Sequence, residues 1–351
     1  MTKRYTSDDG QLDAFYGDLA AGFLQPLWEL GGMLRPEPDV AAVPYRWQAA
    51  DLYKLASRSG ELVAIAGAGE RRVLALSNPG LSGAPFISSS LWAGVQFIKP
   101  AEVAPPHRHS ASALRLILHG NGAYTVVDGD PIAMSQGDLV LTPAWTMHEH
   151  HNPSDEPMIW LDILDLPLVI GLNALFFEQG TDSASLISSQ RSTAEMLYGQ
   201  GPGLMPAGRD ISDHVLPHSP LTVYRWADTD VALDALLEAT SADQATLRFR
   251  DPTRARDIMP TLRCELTRMR SGATSIAQRQ TGSRVGVVLH GCGRVQIARR
   301  SFDLDKGDIF VVPSWAPCQL HAGTDLDVFV TSDAPVLEAL SLFRDEVVDA
   351  L

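Results

Sequence analysis

The sequence is poor in cysteine, in positive charge and in long apolar runs. Its three cysteines are an odd number spread through one half of the 351 residues, so no disulfide framework is predicted. The 28 Lys and Arg face 42 acidic residues, and the net charge of −14 argues against a nucleic-acid-binding surface, which needs clustered positive charge. No apolar run approaches the length of a membrane span, and the N-terminus turns acidic where a signal peptide would be apolar. We therefore expect a cytoplasmic protein that binds neither nucleic acid nor a membrane.

Turn residues and apolar spacing predict a mainly β protein with a few helices. Helical spacing over residues 11–34 predicts one or two helices before the first strands. From about residue 62 the apolar pattern shortens to period two, with frequent Gly, Asn and Asp turns, which is typical of a β-sandwich or small barrel. Residues 179–222 are rich in Gly, Ser, Gln and Pro, with a helical candidate near 192–197. They predict a linker, or an arm that packs on the neighbouring copy.

The β-rich part of the chain is duplicated. Four ordered anchors recur: Tyr45-Arg46-Trp47 as Tyr224-Arg225-Trp226, His119-Gly120 as His290-Gly291, Gly137-Asp138 as Gly307-Asp308, and Pro143-Ala144-Trp145 as Pro313-Ser314-Trp315. Each Tyr-Arg-Trp is followed by an acidic, Leu-rich segment that predicts a helix. We expect an N-terminal helical segment (1–60), a first copy (61–178), the linker or arm (179–222) and a second copy (223–351).

Six of the ten histidines fall between residues 107 and 151. His107 and His109 are two apart, so on a strand their side chains project from the same face. His148 follows a Gly-Asp turn and a β-rich run, which would bring it alongside on a neighbouring strand. Three imidazoles can cover one face of an octahedron and leave the other positions for substrate and oxygen, although surface histidines are the alternative. In the second copy the equivalent residues are Gln278, Gln280 and Cys318, so one copy is predicted to bind a metal and the other is not.

The spacing of the three histidines and of the residues around them resembles the motifs of the cupin superfamily. The second cupin motif, Gly-x5-Pro-x-Gly-x2-His-x3-Asn, is matched by Gly137, Pro143, His148 and Asn152. Trp145 stands where that motif usually has Gly. The first motif normally supplies a Glu after its second histidine, and Ala113 and Leu114 occupy that window. The site therefore resembles a three-histidine set without a carboxylate, which weighs against the manganese cupins that use the Glu.

Longer ordered runs carry a more specific resemblance over nearly the whole chain. They are Gln25-Pro26-Leu27-Trp28 and the runs 71–81, 104–115 and 160–169. These runs resemble bicupin gentisate 1,2-dioxygenases and their salicylate and hydroxynaphthoate relatives. The resemblance implies two double-stranded β-helix (jelly-roll) barrels with N-terminal and inter-domain helices, assembled as a homotetramer. It also implies extradiol-type aromatic ring cleavage, with O2 as co-substrate and one Fe(II) per subunit held by His107, His109 and His148 of the first cupin.

The implied substrate is a small aromatic hydroxy-acid whose carboxylate and ortho hydroxyl both chelate the iron. Its negative charge needs positive partners. Arg115 shares strand parity with His109, so a substrate carboxylate is its candidate partner, and a partly exposed arginine at a barrel mouth is the alternative. Arg71 matches a substrate-binding arginine of the family. Its neighbour Arg72 is the competing choice and is expected to be solvated.

Further candidates follow from strand parity. Trp92, Gly94 and Gln96 share one face, which would present an aromatic wall, a gap where the ring approaches and an amide; the alternative is a core Trp with a capping Gln. His150 points the same way as the last ligand and is predicted to hydrogen-bond the substrate hydroxyl or oxygen and to accept a proton. Asp162 lies on an apolar strand and is predicted to orient His150 or an arginine, or else to form a structural ion pair.

The predicted reaction inserts O2 between the carboxyl-bearing and hydroxyl-bearing carbons of gentisate, the most easily oxidised ring of this kind. A salicylate with a nitro, amino or halogen substituent at position 5 is the alternative substrate. Two alternatives come from other classes: a non-catalytic ligand-binding bicupin, and a sugar-phosphate isomerase cupin, which would normally keep the motif Glu.

Overall fold

A computed structural model describes residues 9–30, 32, 35–65, 71–180, 191–199 and 216–349. They fall into two compact units, one within residues 1–39 and one within residues 40–351. The described part of the first unit contains the helix α1 (Asp9–Ala21). Phe23 follows in the left-handed region (φ 54°), and residues 22–30 form turns and irregular backbone, so the helical prediction is wrong for that stretch. Pro26 contributes to this, because it disfavours the helical conformation at the residue before it. No helix in the described ranges is long and apolar enough to cross a membrane.

The described residues of the second unit include five short or medium α-helices and twenty-two strands. The helices are α2 (Ala49–Leu62), α3 (Leu166–Gly171), α4 (Thr193–Tyr198), α5 (Trp226–Thr240) and α6 (Ala334–Ala339). The first strands in chain order are β1 (Tyr45–Trp47), β2 (Val73–Ala75), β3 (Trp92–Ile98), β4 (Val103–His109), β5 (Ala113–His119), β6 (Asn121–Val127), β7 (Asp130–Ser135), β8 (Leu139–Thr142), β9 (His148–His151), β10 (Met158–Leu164) and β11 (Phe177–Gln179). The others are β12 (Val223–Tyr224), β13 (Gln244–Arg248), β14 (Arg263–Met269), β15 (Gln278–Gln280), β16 (Arg284–His290), β17 (Gly293–Ile297), β18 (Arg300–Leu304), β19 (Ile309–Val312), β20 (Cys318–Ala322), β21 (Leu326–Ser332) and β22 (Asp345–Val347).

The strands build two barrels, each from a six-stranded and a five-stranded sheet. The first barrel combines the sheets β12-β8-β5-β10-β3-β2 and β11-β4-β9-β6-β7. The second combines β1-β19-β16-β21-β14-β13 and β18-β17-β20-β15-β22. Both six-stranded sheets repeat the same order of equivalent strands, as the duplication predicts. The mainly β bicupin fold is confirmed.

The segment between the barrels contains α4, which confirms the helical candidate there. Ser192 caps the helix by accepting from the backbone N–H of Glu195, whose side chain reaches back to the N–H of Ser192. The rest of the predicted linker, residues 181–190 and 200–215, lies outside the described residues. The predicted limits 1–60, 61–178, 179–222 and 223–351 therefore stay predictions.

The two copies exchange their leading strands. β1 precedes the first barrel in the chain but pairs with β19 of the second, and β12 precedes the second barrel but pairs with β8 of the first. Equivalent residues stabilise each exchange. Arg46 donates a hydrogen bond to the carboxylate of Asp308, 262 positions away in the sequence, and Arg225 donates one to the carboxylate of Asp138. Each carboxylate also accepts a backbone N–H at the start of the following helix, at Ala49 and Trp226, so it stabilises the positive end of that helix.

The apolar core is divided by strand parity. Leu114 and Leu116 of β5 pack in one cluster with Val285 and Val287 of β16, so the large sheets of the two barrels face each other. Ile117 of β5 points into the first barrel, among residues that include Ile132, Met134, Val140 and Trp160. Arg115 has the parity of Ile117, which places it inside that barrel.

Buried carboxylates at Asp165 and Asp333 join the barrels a second time. Asp165 accepts from the backbone N–H of Ser112 (2.8 Å) and from Thr261 Oγ1 (2.5 Å). Asp333 accepts in the same way from the N–H of Ser283 and from the hydroxyl of Ser90. Burial raises the pKa of Asp165 from 3.8 to about 6 despite these hydrogen bonds.

Replacing Asp165 by Asn is expected to flatten part of the pH dependence of stability. The folded-state pKa lies above the unfolded value, so the folded protein binds more protons between pH 4 and 6 and this group's contribution to stability falls as the pH rises through that window. From pH 5 to 7.5 the native chain should lose about 1 to 2 kcal/mol relative to Asp165→Asn, measured by urea unfolding. Asp155→Asn, at an exposed aspartate, should run parallel to the native chain. A parallel curve for Asp165→Asn would instead mean that the folded-state pKa is not raised.

Candidate active site

Three buried histidines meet inside the first barrel. His107 and His109 lie on β4, and His148 begins β9 directly opposite His107 in the antiparallel ladder. The three side chains are 2%, 8% and 1% exposed. One ligand nitrogen from each lies within 4.8 Å of the others. The structure thus places the three predicted metal ligands together, and the alternative of surface histidines is wrong.

Backbone carbonyls fix the tautomers of these rings. The Nδ1 atoms approach carbonyl oxygens as follows: His107 lies 3.1 Å from Pro105, His109 2.7 Å from Ala111, and His148 3.0 Å from Thr146. A carbonyl can only accept, so each Nδ1 carries the proton and each Nε2 offers its lone pair. His148 Nε2 is buried without a hydrogen-bond partner among the described residues. Three convergent lone pairs, one of them orphaned, fit a metal ion.

The electrostatic environment keeps the triad neutral. Burial, followed by the charge of Arg71, lowers the pKa of His107 to about 2. Burial is also the main cause that lowers the pKa of His109 to about 4 and that of His148 well below its usual range. Metal ligation needs the unprotonated nitrogen, so these rings need not lose a proton before binding an ion.

Arg115 and Asp162 form a buried pair beside the triad. They face each other on β5 and β10, and Arg115 Nε lies 3.0 Å from Asp162 Oδ1, although the N–H does not point along that line. Thr142 accepts from Arg115 Nη1 at 2.7 Å, and Trp160 Nε1 donates to the other carboxylate oxygen at 3.2 Å. Burial raises the pKa of Asp162, while the charge of Arg115 opposes that rise. Arg115 is only 4% exposed, so an exposed arginine at the barrel mouth is excluded.

The two neighbouring arginines before β2 have different surroundings. Arg71 lies over the ring of Phe177 at 5.3 Å, and its charge lowers the pKa of His107, which places it beside the triad. Arg72 is 3% exposed and forms an ion pair with Glu102. The prediction that Arg72 is solvated is therefore wrong, because Glu102, in the connection between β3 and β4, compensates the burial of its charge.

β3 supplies the predicted face of Trp92, Gly94 and Gln96. Gly94 lies opposite Asp162, and Gln96, which is buried, lies opposite Trp160. A Cβ on Gly94 would come within 2.5 Å of the Trp92 ring and 2.6 Å of Val73 Cγ1. The space in front of Gly94 therefore holds the indole and Val73 rather than an open gap.

His150 points into the barrel and His151 points away from it. Burial, followed by the charge of Arg115, lowers the pKa of His150 well below its usual range, and its Nε2 has no hydrogen-bond partner among the described residues. Its Nδ1 lies 2.9 Å from Thr125 Oγ1. His151 stacks on Tyr124 instead. Thr125 was not singled out from the sequence, because a threonine in a strand gives no signal without its cross-strand neighbour.

The second barrel lacks these groups. Gln278 occupies the position of His107 opposite Cys318, but its side chain is exposed. Gly286 occupies the position of Arg115, and a Cβ there would lie 2.2 Å from the Phe310 ring, which fills that part of the barrel. The described residues of the second barrel thus place no imidazole at the equivalents of His107 and His148, and the absence of a metal from this cupin stays a prediction.

The site and the fold have matches among known proteins. The cupin domain family matches residues 94–164. A gentisate 1,2-dioxygenase from a Streptomyces species is 46% identical over 95% of this chain and 94% of its own length. A 5-aminosalicylate 1,2-dioxygenase from a Comamonas species is 33% identical over 95% of this chain and 90% of its own. The crystal structure of salicylate 1,2-dioxygenase from Pseudoaminobacter salicylatoxidans as an adduct with gentisate matches with a TM-score of 0.94 at 41% identity, covering 100% of this chain and 97% of that one.

Two jelly-roll barrels, of which the first carries a buried histidine triad, define a bicupin with a metal-capable centre in that barrel. The relatives place it among the ring-cleaving 1,2-dioxygenases of the gentisate and salicylate class. The chain belongs to the gentisate 1,2-dioxygenase family of bicupins, and the resemblance seen in the sequence is confirmed.

Proposed function

We propose that this chain is an Fe(II)-dependent, extradiol-type dioxygenase. It opens the ring of gentisate between the carboxyl-bearing carbon and the adjacent hydroxyl-bearing carbon, with O2 as co-substrate, in aromatic catabolism. One observation carries the proposal: three neutral imidazoles converge within 4.8 Å beside the buried guanidinium of Arg115. A chelating hydroxy-acid adds negative charge to a pocket in which the cations Arg71 and Arg115 outnumber the carboxylate of Asp162.

His107, His109 and His148 would hold one iron per subunit. The facial three-ligand sites of non-haem iron oxygenases leave coordination positions open for substrate and O2, and three nitrogen ligands without a carboxylate can do the same. When bound, the iron supplies Lewis acidity and a path for electrons between ring and O2. Nδ1 hydrogen bonds to backbone carbonyls hold each ligand ring in orientation.

The remaining site residues would bind and orient the ring. Arg115 and Arg71 offset the charge of the substrate carboxylate, and Asp162 holds Arg115 in place. Gln96 offers an amide from β3, next to the Trp92 and Gly94 face. His150 accepts the proton that a ring hydroxyl releases. Burial excludes water and strengthens each of these interactions.

Salicylates with an amino, nitro or halogen substituent at position 5 are the alternative substrates. The aminosalicylate and salicylate names of the two relatives favour them, and they share the carboxylate and ortho hydroxyl. A non-catalytic ligand-binding bicupin has no need of an intact triad. The homotetramer and the cytoplasmic location stay predictions.

Oxygen uptake after anaerobic Fe(II) loading tests the proposal. We expect gentisate to give the highest kcat/KM in a series that includes salicylate and 5-amino-, 5-nitro- and 5-chlorosalicylate. Faster uptake with a 5-substituted salicylate would transfer the assignment to that substrate. No uptake with any of these rings would contradict the dioxygenase proposal and leave the non-catalytic bicupin.

A further inference from the structure

His150 is the first of three buried side chains that are joined by hydrogen bonds on the side of the ring away from its unpartnered Nε2. Thr125 Oγ1 lies 2.9 Å from His150 Nδ1 and 3.2 Å from Met134 Sδ. Thr125 and Met134 are fully buried, and His150 is 1% exposed. The three residues sit on neighbouring strands: Thr125 on β6, Met134 on β7 and His150 on β9.

The sulfur determines which atom donates in each of these hydrogen bonds. A thioether has no proton and can only accept, so the bond between Thr125 and Met134 uses the threonine hydroxyl hydrogen. Thr125 Oγ1 then has only lone pairs to offer His150, and Nδ1 must carry the imidazole proton. The reverse arrangement, in which the hydroxyl donates to Nδ1, leaves the sulfur without its donor and forms one hydrogen bond instead of two.

The second barrel shows that the fold does not need these polar groups. Thr125 pairs with His150 and Ile132, and in the second copy Val295 pairs with Leu320 and Phe302. Met134 is two residues beyond Ile132, and its counterpart two residues beyond Phe302 is Leu304. The barrel without the histidine triad thus has Val, Leu and Leu where the first has Thr, His and Met.

We propose that Thr125 and Met134 are positioning residues that hold His150 in the Nδ1–H tautomer, with the Nε2 lone pair facing the site. The proposal deepens the proposed function and rests on it for the role of His150. In that role the O–H bond of a ring hydroxyl breaks, its proton forms a bond to Nε2, and the resulting imidazolium keeps its Nδ1–H on Thr125. A ring in the other tautomer could donate to the substrate but could not take its proton.

Nitrogen-15 NMR of histidine-labelled, Zn(II)-loaded protein tests the tautomer without any turnover, with the His150 signals assigned by their loss in His150→Asn. We expect Nδ1 of His150 protonated in the native chain, and a mixture or the Nε2–H form in Thr125→Val, whose residue the second barrel accommodates. Thr125→Ser, which keeps the hydroxyl, should retain the native tautomer. A native Nε2–H form, or an unchanged Nδ1–H form in Thr125→Val, would overturn the proposal.

Kinetics of the Fe(II)-loaded enzyme provide the second measurement. Thr125→Val should lower kcat for gentisate by about tenfold or more with little change in KM, since a positioned base contributes to the proton transfer and not to binding. Thr125→Ser should recover most of that loss, and Val295→Ala in the second barrel should leave kcat unchanged. Equal losses in Thr125→Val and Thr125→Ser would contradict the role of the hydroxyl. Absent turnover in the native enzyme with the expected tautomer would instead refute the proposed function alone.

Discussion

Replacing His107 by alanine is expected to abolish both retention of Fe(II) and consumption of O2. The change removes one of three convergent nitrogens and leaves two imidazoles in a group of ligands that includes no carboxylate. Changes to residues that only support a metal ligand cost 10–100-fold in affinity, so loss of a ligand should cost more than about 100-fold. Metal analysis after anaerobic loading and desalting, together with oxygen-electrode assays, measures both effects.

The second barrel provides the matched control for this experiment. Gln278 stands at the position of His107 and is exposed, so Gln278→Ala should keep one iron per subunit and the native rate. Full iron content in His107→Ala would place the metal outside the triad. Loss of iron in Gln278→Ala would mean that the second barrel contributes to metal binding.

Replacing Arg115 by methionine is expected to harm stability and activity for separate reasons. Without the guanidinium of Arg115, the buried carboxylate of Asp162 loses its ion-pair partner, which typically costs about 3–5 kcal/mol. The lost contact with the substrate carboxylate should lower kcat/KM for gentisate by roughly 10- to 100-fold, because a hydrogen bond to a charged group contributes about 1.5–3 kcal/mol. Urea unfolding and steady-state oxygen uptake measure the two effects.

The double variant Arg115→Met/Asp162→Val separates these effects. In the second barrel the equivalent positions hold Gly286 and Val330, which are also paired across strands, so the fold accommodates a neutral pair here. We expect the double variant to recover most of the lost stability and none of the lost activity. Recovery of activity along with stability would reduce Arg115 to a structural ion pair and remove it from the substrate site.

The sequence was sufficient to predict that His107, His109 and His148 lie together, because the information is local. His107 and His109 are two residues apart on one strand, and the turn at Gly137 returns the chain to place His148 beside them. Trp145 stands in the motif position that favours Gly, yet its backbone keeps the left-handed conformation (φ 68°). The equivalent Trp315 does the same (φ 64°). The turn is thus preserved although the motif residue is not.

The exchange of strands between the barrels could not be predicted in the same way. Both copies carry the same arginine after tyrosine and the same aspartate after glycine, so pairing within a copy and pairing between copies look identical in the sequence. Only the fold shows that Arg46 reaches Asp308 and Arg225 reaches Asp138. Identical anchors reveal a duplication but not which copy each anchor contacts.

The burial of Arg72 and the contacts of Thr125 could not be predicted from the sequence either. Arg72 looks like a surface residue beside Arg71 until Glu102 is found next to it. The role of Thr125 depends on Met134 and His150, which are distant in sequence and meet only across β6, β7 and β9. Such contacts depend on strand register. The alternation of apolar residues predicts which face of a strand a side chain occupies, but not which residue lies opposite it on the next strand.

The fate of the oxygen atoms in the product tests most directly whether the first barrel is an iron-dependent, ring-opening site. Fe(II)-loaded enzyme is supplied with gentisate under ¹⁸O2, and the product is analysed by mass spectrometry. We expect one ring-opened product, cleaved between the carboxyl-bearing and hydroxyl-bearing carbons, with one labelled atom in the new carboxylate and the other in the new ketone, which is reduced at once because its oxygen exchanges with water. A ring-intact product, or a ring-opened product without label in the new carboxylate, would contradict the proposed dioxygenase reaction.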